Sequence, residues 1–248
     1  TTDKFSENLV VGNEPLKYIP KQIFQLVADK NKISPQFQEN INYIKKLNPE
    51  WVYILYDDND MDNYIQKYFP LEILDLYTSI NPKYGASRAD FFRYLLMHRE
   101  GGVYLDIKSA MKVSLNNIIH PDDEYILSHW NCPCQRMMLD SENGEFQQWY
   151  IICRPQHPFL ATVIKNVIEN IKNYRVSDGV GKPGVLKVTG PIAYTKAIIP
   201  ILNQYNHRLV ESNDYIGLIY NNLKESHVNL FSNKHYSKIS EPIVLHKK

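Results

Sequence analysis

The chain has 248 residues, of which 44% are apolar and 22% charged. With 28 basic against 27 acidic side chains the net charge is +1, so no excess of charge points to a nucleic-acid partner or an anionic membrane. Aromatic side chains at 12% exclude a disordered chain, and the length suits one large α/β domain.

No apolar run reads as the roughly 20 residues of a membrane span. Thr1-Thr2-Asp3-Lys4 lacks the basic-then-apolar layout of a signal peptide. The missing initial Met points to a removed upstream segment or anchor. The domain is expected to be soluble, either cytoplasmic or cut from a membrane-anchored protein. Cys132, Cys134 and Cys153 are too few for a disulfide framework, and no second pair stands at zinc-ligand spacing. They read as ordinary thiols of a reducing compartment.

Residues 1–17 read as a flexible polar arm and 18–248 as a single domain. Around Pro20, the stretch Tyr18 to Leu26 suits a short strand. Ser34-Pro35 opens a helix carrying Phe37, Ile41, Ile44 and Leu47, which stops near Asn48-Pro49. The continuous apolar run Trp51 to Tyr56 reads as a buried strand ending at Asp57-Asp58. Two helical pieces, Asn59 to Phe69 and Leu71 to Tyr77, are divided by Pro70. After Asn81-Pro82 a further helix is expected, with Ser87 as N-cap, Asp90 in the capping-box position, and Phe91, Phe92, Leu95 and Leu96 on its buried side. Gly101-Gly102 ends that helix, and Val103 to Asp106 follows as a strand. Further on, Tyr125 to Leu127 and Trp149 to Cys153 read as strands, and Pro158 to Tyr174 as a helix. Asp178 to Gly184 reads as a loop and Ile192 to Ile199 as a short helix. The alternation of strands and helices in the first half argues for an α/β fold with a mostly parallel central sheet flanked by helices.

The densest chemistry lies between Ala86 and Lys108. On a helix, Asp90 and Arg93 share a face, with Arg88 in the first turn. Strand alternation puts Tyr104 and Asp106 opposite Val103 and Leu105. Ligands of open α/β sheets bind beyond the carboxyl ends of the strands, where Asp106 falls. Arg88 and Arg93 suit phosphates or hydroxyls, and Asp90 and Asp106 suit sugar hydroxyls or a hydrated cation. Taken alone, Asp90 and Arg93 read equally well as a solvated helix pair.

The string Ala-Ser-Arg-Ala-Asp-Phe-Phe-Arg-Tyr-Leu (86–95) followed by Gly-Gly-Val-Tyr-Leu-Asp (101–106) resembles the sugar-binding region of family-32 glycosyltransferases. That is the group of the yeast initiating α-1,6-mannosyltransferase. More distantly, the string is similar to the glucosyltransferase domains of the large clostridial toxins. Ile19 to Ile23, Asn48 to Asp58 and, more weakly, Thr189-Gly190-Pro191 add to the likeness, which runs from about residue 18 to 110.

The resemblance implies a GT-A fold (the Rossmann-like nucleotide-diphospho-sugar transferase fold), with a donor-binding half at 18–110 and an acceptor-side half at 111–248. It also implies a UDP- or GDP-sugar donor, a glycan, polysaccharide or lipid-linked acceptor, and transfer of a hexose with retention. Asp90 and Arg93 would hold donor-sugar hydroxyls. Asp106 would be the first acid of an Asp-x-Asp motif, with Tyr104 beside it, and Phe24 and Gln25 would line the base pocket. The family has His and Trp where this chain has Phe24 and Val27.

Lys108 stands where the second acid would bind Mn²⁺ or Mg²⁺, and an ammonium offers donors only. Three readings follow. The ammonium takes over the counter-charge for the leaving diphosphate; or metal binds through Asp106 and a C-terminal residue, His235; or catalysis is lost. The histidines otherwise form no ligand pair and read as surface or structural residues. The acidic tract 140–145 reads as a loop that could carry an acceptor-site base. Trp130 and Trp149 read as core, and Lys182 and Lys187 as part of a basic loop able to close over phosphates. Beside the transferase stand two alternatives, a nucleotide-sugar-binding pseudoenzyme and a structural subunit of a glycan-assembly complex.

Overall fold

The structure is a computed structural model that describes residues 16–130, 144–211, 216–223 and 236–246. Most of the expected N-terminal arm, Cys132, Cys134, His227, His235 and residues 140–143 of the acidic tract lie outside the described residues.

A sheet of six strands runs through the middle in the order β2-β1-β3-β6-β5-β7. The strands are β1 (Gln22–Leu26), β2 (Val52–Tyr56), β3 (Gly102–Leu105), β5 (Tyr125–Ser128), β6 (Tyr150–Cys153) and β7 (Arg208–Val210). Pairs β1–β2, β1–β3 and β5–β7 are parallel, while β6 runs antiparallel to both β3 and β5. A small separate ribbon joins β4 (Ala110–Met111) to β8 (Leu218–Ile219).

The parallel half is built by crossovers. Helix α1 (Pro35–Leu47) begins at Ser34, whose hydroxyl accepts from the Phe37 N–H, and buries Phe37, Ile41 and Ile44. Helix α2 (Asp58–Tyr68) starts in a capping box between Asp57 and Asp60. After Pro70 comes α3 (Leu71–Ser79), then α4 (Gly85–Glu100). Helices α5 (Pro158–Lys172), α6 (Gly181–Val188) and α7 (Pro191–Ile198) complete the set.

Strand alternation divides the core. Tyr104 points into a large cluster with Phe24, Phe91, Phe92 and Val163, while Val103 and Leu105 join Ile23, Trp149 and Ile152 on the other face. The C-terminal segment seals the first cluster. Ile239, Ile243 and Val244 are buried in it. The Asn81 N–H donates to the Ile243 carbonyl at 2.7 Å, and the Leu245 N–H to the Ser79 carbonyl at 2.8 Å. The Tyr84 hydroxyl donates to the Glu241 carbonyl at 2.8 Å.

Four expectations are corrected. β2 is an edge strand with Val52 exposed, because apolar continuity does not distinguish a central strand from an edge one. Helix α4 begins at Gly85 with Tyr84 before it, so Ser87 is not its cap but a buried residue of the first turn. Residues 181–188 are helical rather than a loop. There Gly184 packs so closely on the turn before it that a Cβ would lie 2.4 Å from the Gly179 carbonyl oxygen, so glycine marks a close approach rather than a break. Finally, Gly181–Gln204 is by length and composition apolar enough to cross a membrane (24 residues). In the fold it is interrupted at Thr189-Gly190, and just over half of its most apolar 18-residue stretch is buried, 56%.

Candidate active site

Helix α4 is central, and buried side chains surround it on nearly every side, from Ser87 to His98. Polar groups on such a helix cannot reach water and must find protein partners. Asp90 and Arg93 do so together. Arg93 Nη2 lies 3.3 Å from Asp90 Oδ1, and Arg93 Nη1 lies 3.1 Å from Asp106 Oδ1 at the end of β3. The Asp90–Arg93 pair is therefore a buried ion pair, with residue exposures of 4% and 6%, and not a solvated one.

The rest of the shell is equally specific. The Tyr104 hydroxyl donates to Asp106 Oδ1 at 2.6 Å, and the Arg93 guanidinium sits 4.5 Å from the Tyr104 ring centroid. Gln148 bridges the cluster, its amide N–H donating to Asp90 Oδ1 at 3.1 Å and its Oε1 accepting from Arg93 Nη1 at 2.8 Å. The Thr189 hydroxyl lies 3.1 Å from Asp90 Oδ2 and 3.1 Å from Ser87 Oγ. Burial raises the Asp90 carboxyl to about 6, with Arg93 only partly offsetting it. Asp106 is the most open of the three charged groups, with 19% side-chain exposure against 7% for Arg93 and 6% for Asp90.

Asp106 is also fixed through its backbone. Its N–H donates to the Trp149 carbonyl at 2.8 Å, and its own carbonyl accepts from Gln25 Nε2 at 3.3 Å. Gln25 is held by the Tyr53 hydroxyl at 2.7 Å. Beyond Asp106 the chain turns, the Ser109 N–H donating to the Asp106 carbonyl at 2.9 Å. Ile107 is buried beside Val27, Phe37 and Ile41. Lys108 is half-buried, its ammonium 5.5 Å from the Tyr220 ring centroid. The Tyr220 ring packs on Trp130 at 4.8 Å and on Trp149 at 5.3 Å.

The structure thus brings Asp90, Arg93, Tyr104 and Asp106 together, with Gln25 and Lys108 flanking Asp106. Two candidates go elsewhere. Phe24 is core, stacked on Tyr56 at 6.2 Å on the sheet face opposite Gln25, so it forms no base-pocket wall. Arg88 turns back to the end of α3, where its guanidinium donates to the Ile80 carbonyl at 2.8 and 3.0 Å. It caps carbonyls that a helix end leaves unpaired and joins no ligand site. His235 lies outside the described residues. Lys182 and Lys187 are exposed on helix α6. Trp149 is buried as expected and Trp130 half-buried. Glu145, the buried end of the acidic tract, has one carboxylate oxygen without a hydrogen-bond partner. Gln148 and Ser87 went unrecognised in the sequence. Thr189 carried a signal, since Thr189-Gly190-Pro191 belongs to the resemblance.

Among the described residues no three His, Cys, Asp or Glu side chains form a group able to hold a metal. Asp106 Oδ1 is already taken by Tyr104 and Arg93, and the neighbouring Lys108 supplies no lone pair.

Residues 34–126 match the family profile described as a glycosyltransferase sugar-binding region containing a DXD motif. The initiation-specific alpha-1,6-mannosyltransferase of Schizosaccharomyces pombe is 30% identical over 141 residues, covering 50% of this chain and 34% of that protein. Mannosyl phosphorylinositol ceramide synthase CSH1 of Saccharomyces cerevisiae is 25% identical over 185 residues, covering 75% of this chain and 44% of that protein. Inositol phosphoceramide mannosyltransferase 3 of S. pombe is 32% identical over 128 residues, covering 52% of this chain and 32% of that protein. The chain spans less than half the length of these curated relatives. Among solved structures, PaToxG glycosyltransferase superimposes with a TM-score of 0.52 at 18% identity, covering 76% of this chain and 73% of that chain. That likeness concerns the fold, which is the GT-A fold.

Proposed function

We propose, on the match of residues 34–126 to the glycosyltransferase sugar-binding region containing a DXD motif, that the chain transfers a hexose from a UDP- or GDP-sugar to a hydroxyl of a glycan or lipid-linked acceptor, with retention. The names of its relatives favour mannose as the sugar and an inositol phosphoceramide or a glycan as the acceptor. The observation that carries the reading is the convergence of Arg93 and Asp106 at the carboxyl end of β3, with Asp106 the most exposed member.

In this reading Asp106 meets the donor sugar with the carboxylate oxygen that Tyr104 and Arg93 leave open. Arg93 and Asp90 are positioning residues, since their polar atoms already bind protein partners. Tyr104 and Gln25 set the orientation of Asp106. In the transfer, the bond from the anomeric carbon to the diphosphate oxygen breaks and its electron pair leaves with the diphosphate. A bond to the acceptor oxygen forms on the same face, and the acceptor hydroxyl gives up its proton to the departing oxygen. The products are a glycoside and a nucleoside diphosphate.

The test is slow donor hydrolysis across UDP- and GDP-sugars, with GDP-mannose first. Asp106→Asn is expected to reduce turnover by about 100-fold while the melting temperature stays close to wild type. Turnover unchanged in that variant rejects the assignment. Lys108 favours a second reading, a pseudoenzyme, which predicts thermal stabilisation by a donor without hydrolysis. A structural subunit would show neither.

A further inference from the structure

Resting on the transferase reading, we infer that Lys108 supplies the counter-charge for the departing diphosphate, so that this chain binds its nucleotide without a divalent cation. The family profile is defined by an acid at each end of a three-residue motif, and this chain reads Asp106-Ile107-Lys108 there. The replacement is not a loose surface lysine. The turn closed by the Ser109 N–H places Lys108 beside Asp106, and buried Ile107 anchors the turn from below. The Lys108 carbonyl accepts from the Leu223 N–H at 3.0 Å, so the backbone is pinned on its far side as well. The side chain is directed by Tyr220, which the ammonium approaches at 5.5 Å. Tyr220 rests on Trp149, and the Trp149 carbonyl holds the Asp106 N–H. Trp149 therefore touches both residues, its ring through Tyr220 and its backbone carbonyl through the Asp106 N–H.

Acids elsewhere on the molecule take the ammonium groups of Lys21, Lys30, Lys83 and Lys172. Among the described residues Lys108 makes no ion pair and has only the ring of Tyr220 as a side-chain partner. An ammonium two residues beyond the Asp106 carboxylate is suited to diphosphate oxygens, to which it donates N–H bonds. It would also repel a divalent cation from the same place. The ammonium acts only as a hydrogen-bond donor and needs no further reactant.

The experiment is calorimetric binding of GDP and of UDP to the 248-residue chain, once in EDTA and once in Mn²⁺. Wild type is expected to bind one of the two with affinities within about twofold in the two buffers, and Lys108→Ala to weaken binding in EDTA by about 10–100-fold. Lys108→Arg, which keeps the charge, is expected to retain most of the affinity. Lys108→Gln keeps the stem and replaces the alanine variant if that one melts early. Binding that needs Mn²⁺, or that is unchanged in Lys108→Ala, overturns the inference and leaves the transferase reading standing. Failure of both nucleotides and of GDP- and UDP-sugars to bind wild type in either buffer overturns the transferase reading along with it.

Discussion

Arg93 is a buried cation whose guanidinium touches Asp90, Asp106, Gln148 and the face of Tyr104. Its removal strands two carboxylates, which typically costs about 3–5 kcal/mol. Arg93→Met is expected to lower the urea-unfolding free energy by that amount, and adding Asp90→Asn to recover part of it. Asp90 brings a pH dependence. Its carboxyl is raised to about 6 by burial, so the folded protein holds that proton more tightly than the unfolded chain does. The cost of charging Asp90 is thus present above pH 6 and relieved as the pH falls. Once neutral, Asp90 no longer balances Arg93. Nucleotide-sugar affinity is expected to fall on acidification with a midpoint near this value and to be flat with pH in Asp90→Asn; the same midpoint in both proteins would reject the assignment. The facing of Asp90 and Arg93 was legible from their helical spacing. Their burial was not, because it depends on neighbours such as Gln148, 58 positions from Asp90, that carry no local pattern.

Among the elements, helices opened by proline or by a serine cap were legible, since those residues act within one turn. Helix α6 was not, because Gly184 serves a close contact with the preceding turn. The junction of α4 and β3 was legible for the opposite reason. Gly101 has φ +65°, and a Cβ there would lie 2.5 Å from the Pro155 nitrogen. Gly101→Ala is expected to destabilise by more than about 1 kcal/mol, read from the urea midpoint. Helix α5 carries a second pH-sensitive group. His157 is its N-cap, Nδ1 accepting from the Phe159 N–H at 3.2 Å and Nε2 donating to the Asn206 carbonyl at 3.1 Å. Burial lowers its imidazole to about 4 from 6.5. On acidification the unfolded chain takes up this proton first. The stabilisation is complete above pH 6.5 and is lost as the pH falls towards 4, by up to about 3 kcal/mol. His98, likewise lowered to about 4 by burial, contributes a similar slope. His157→Asn keeps a capping acceptor but removes the titration, so the fall of the urea midpoint on acidification is expected to shrink by about half.

At the scale of the molecule, the half from β1 to β3 was legible because each strand and helix announces itself by period, and parallel neighbours follow from helical crossovers. The other half was not. The antiparallel run of β6 between β3 and β5, and the pairing of β4 with β8, rest on partners far apart in sequence. The same holds for the C-terminal segment, where Ile243 is fully buried. Ile243→Ala is expected to cost about 2–5 kcal/mol in chemical denaturation, more than an isolated terminal strand would. That segment also fastens the turn from which α4 departs, through Asn81, Tyr84 and Ser79. A ribosome must therefore release the chain to about residue 246 before the helix bearing Asp90 and Arg93 is anchored. During synthesis those two charges wait for residues 239–246 to be translated, and a nascent chain stalled short of residue 239 lacks the latch that sets them in place.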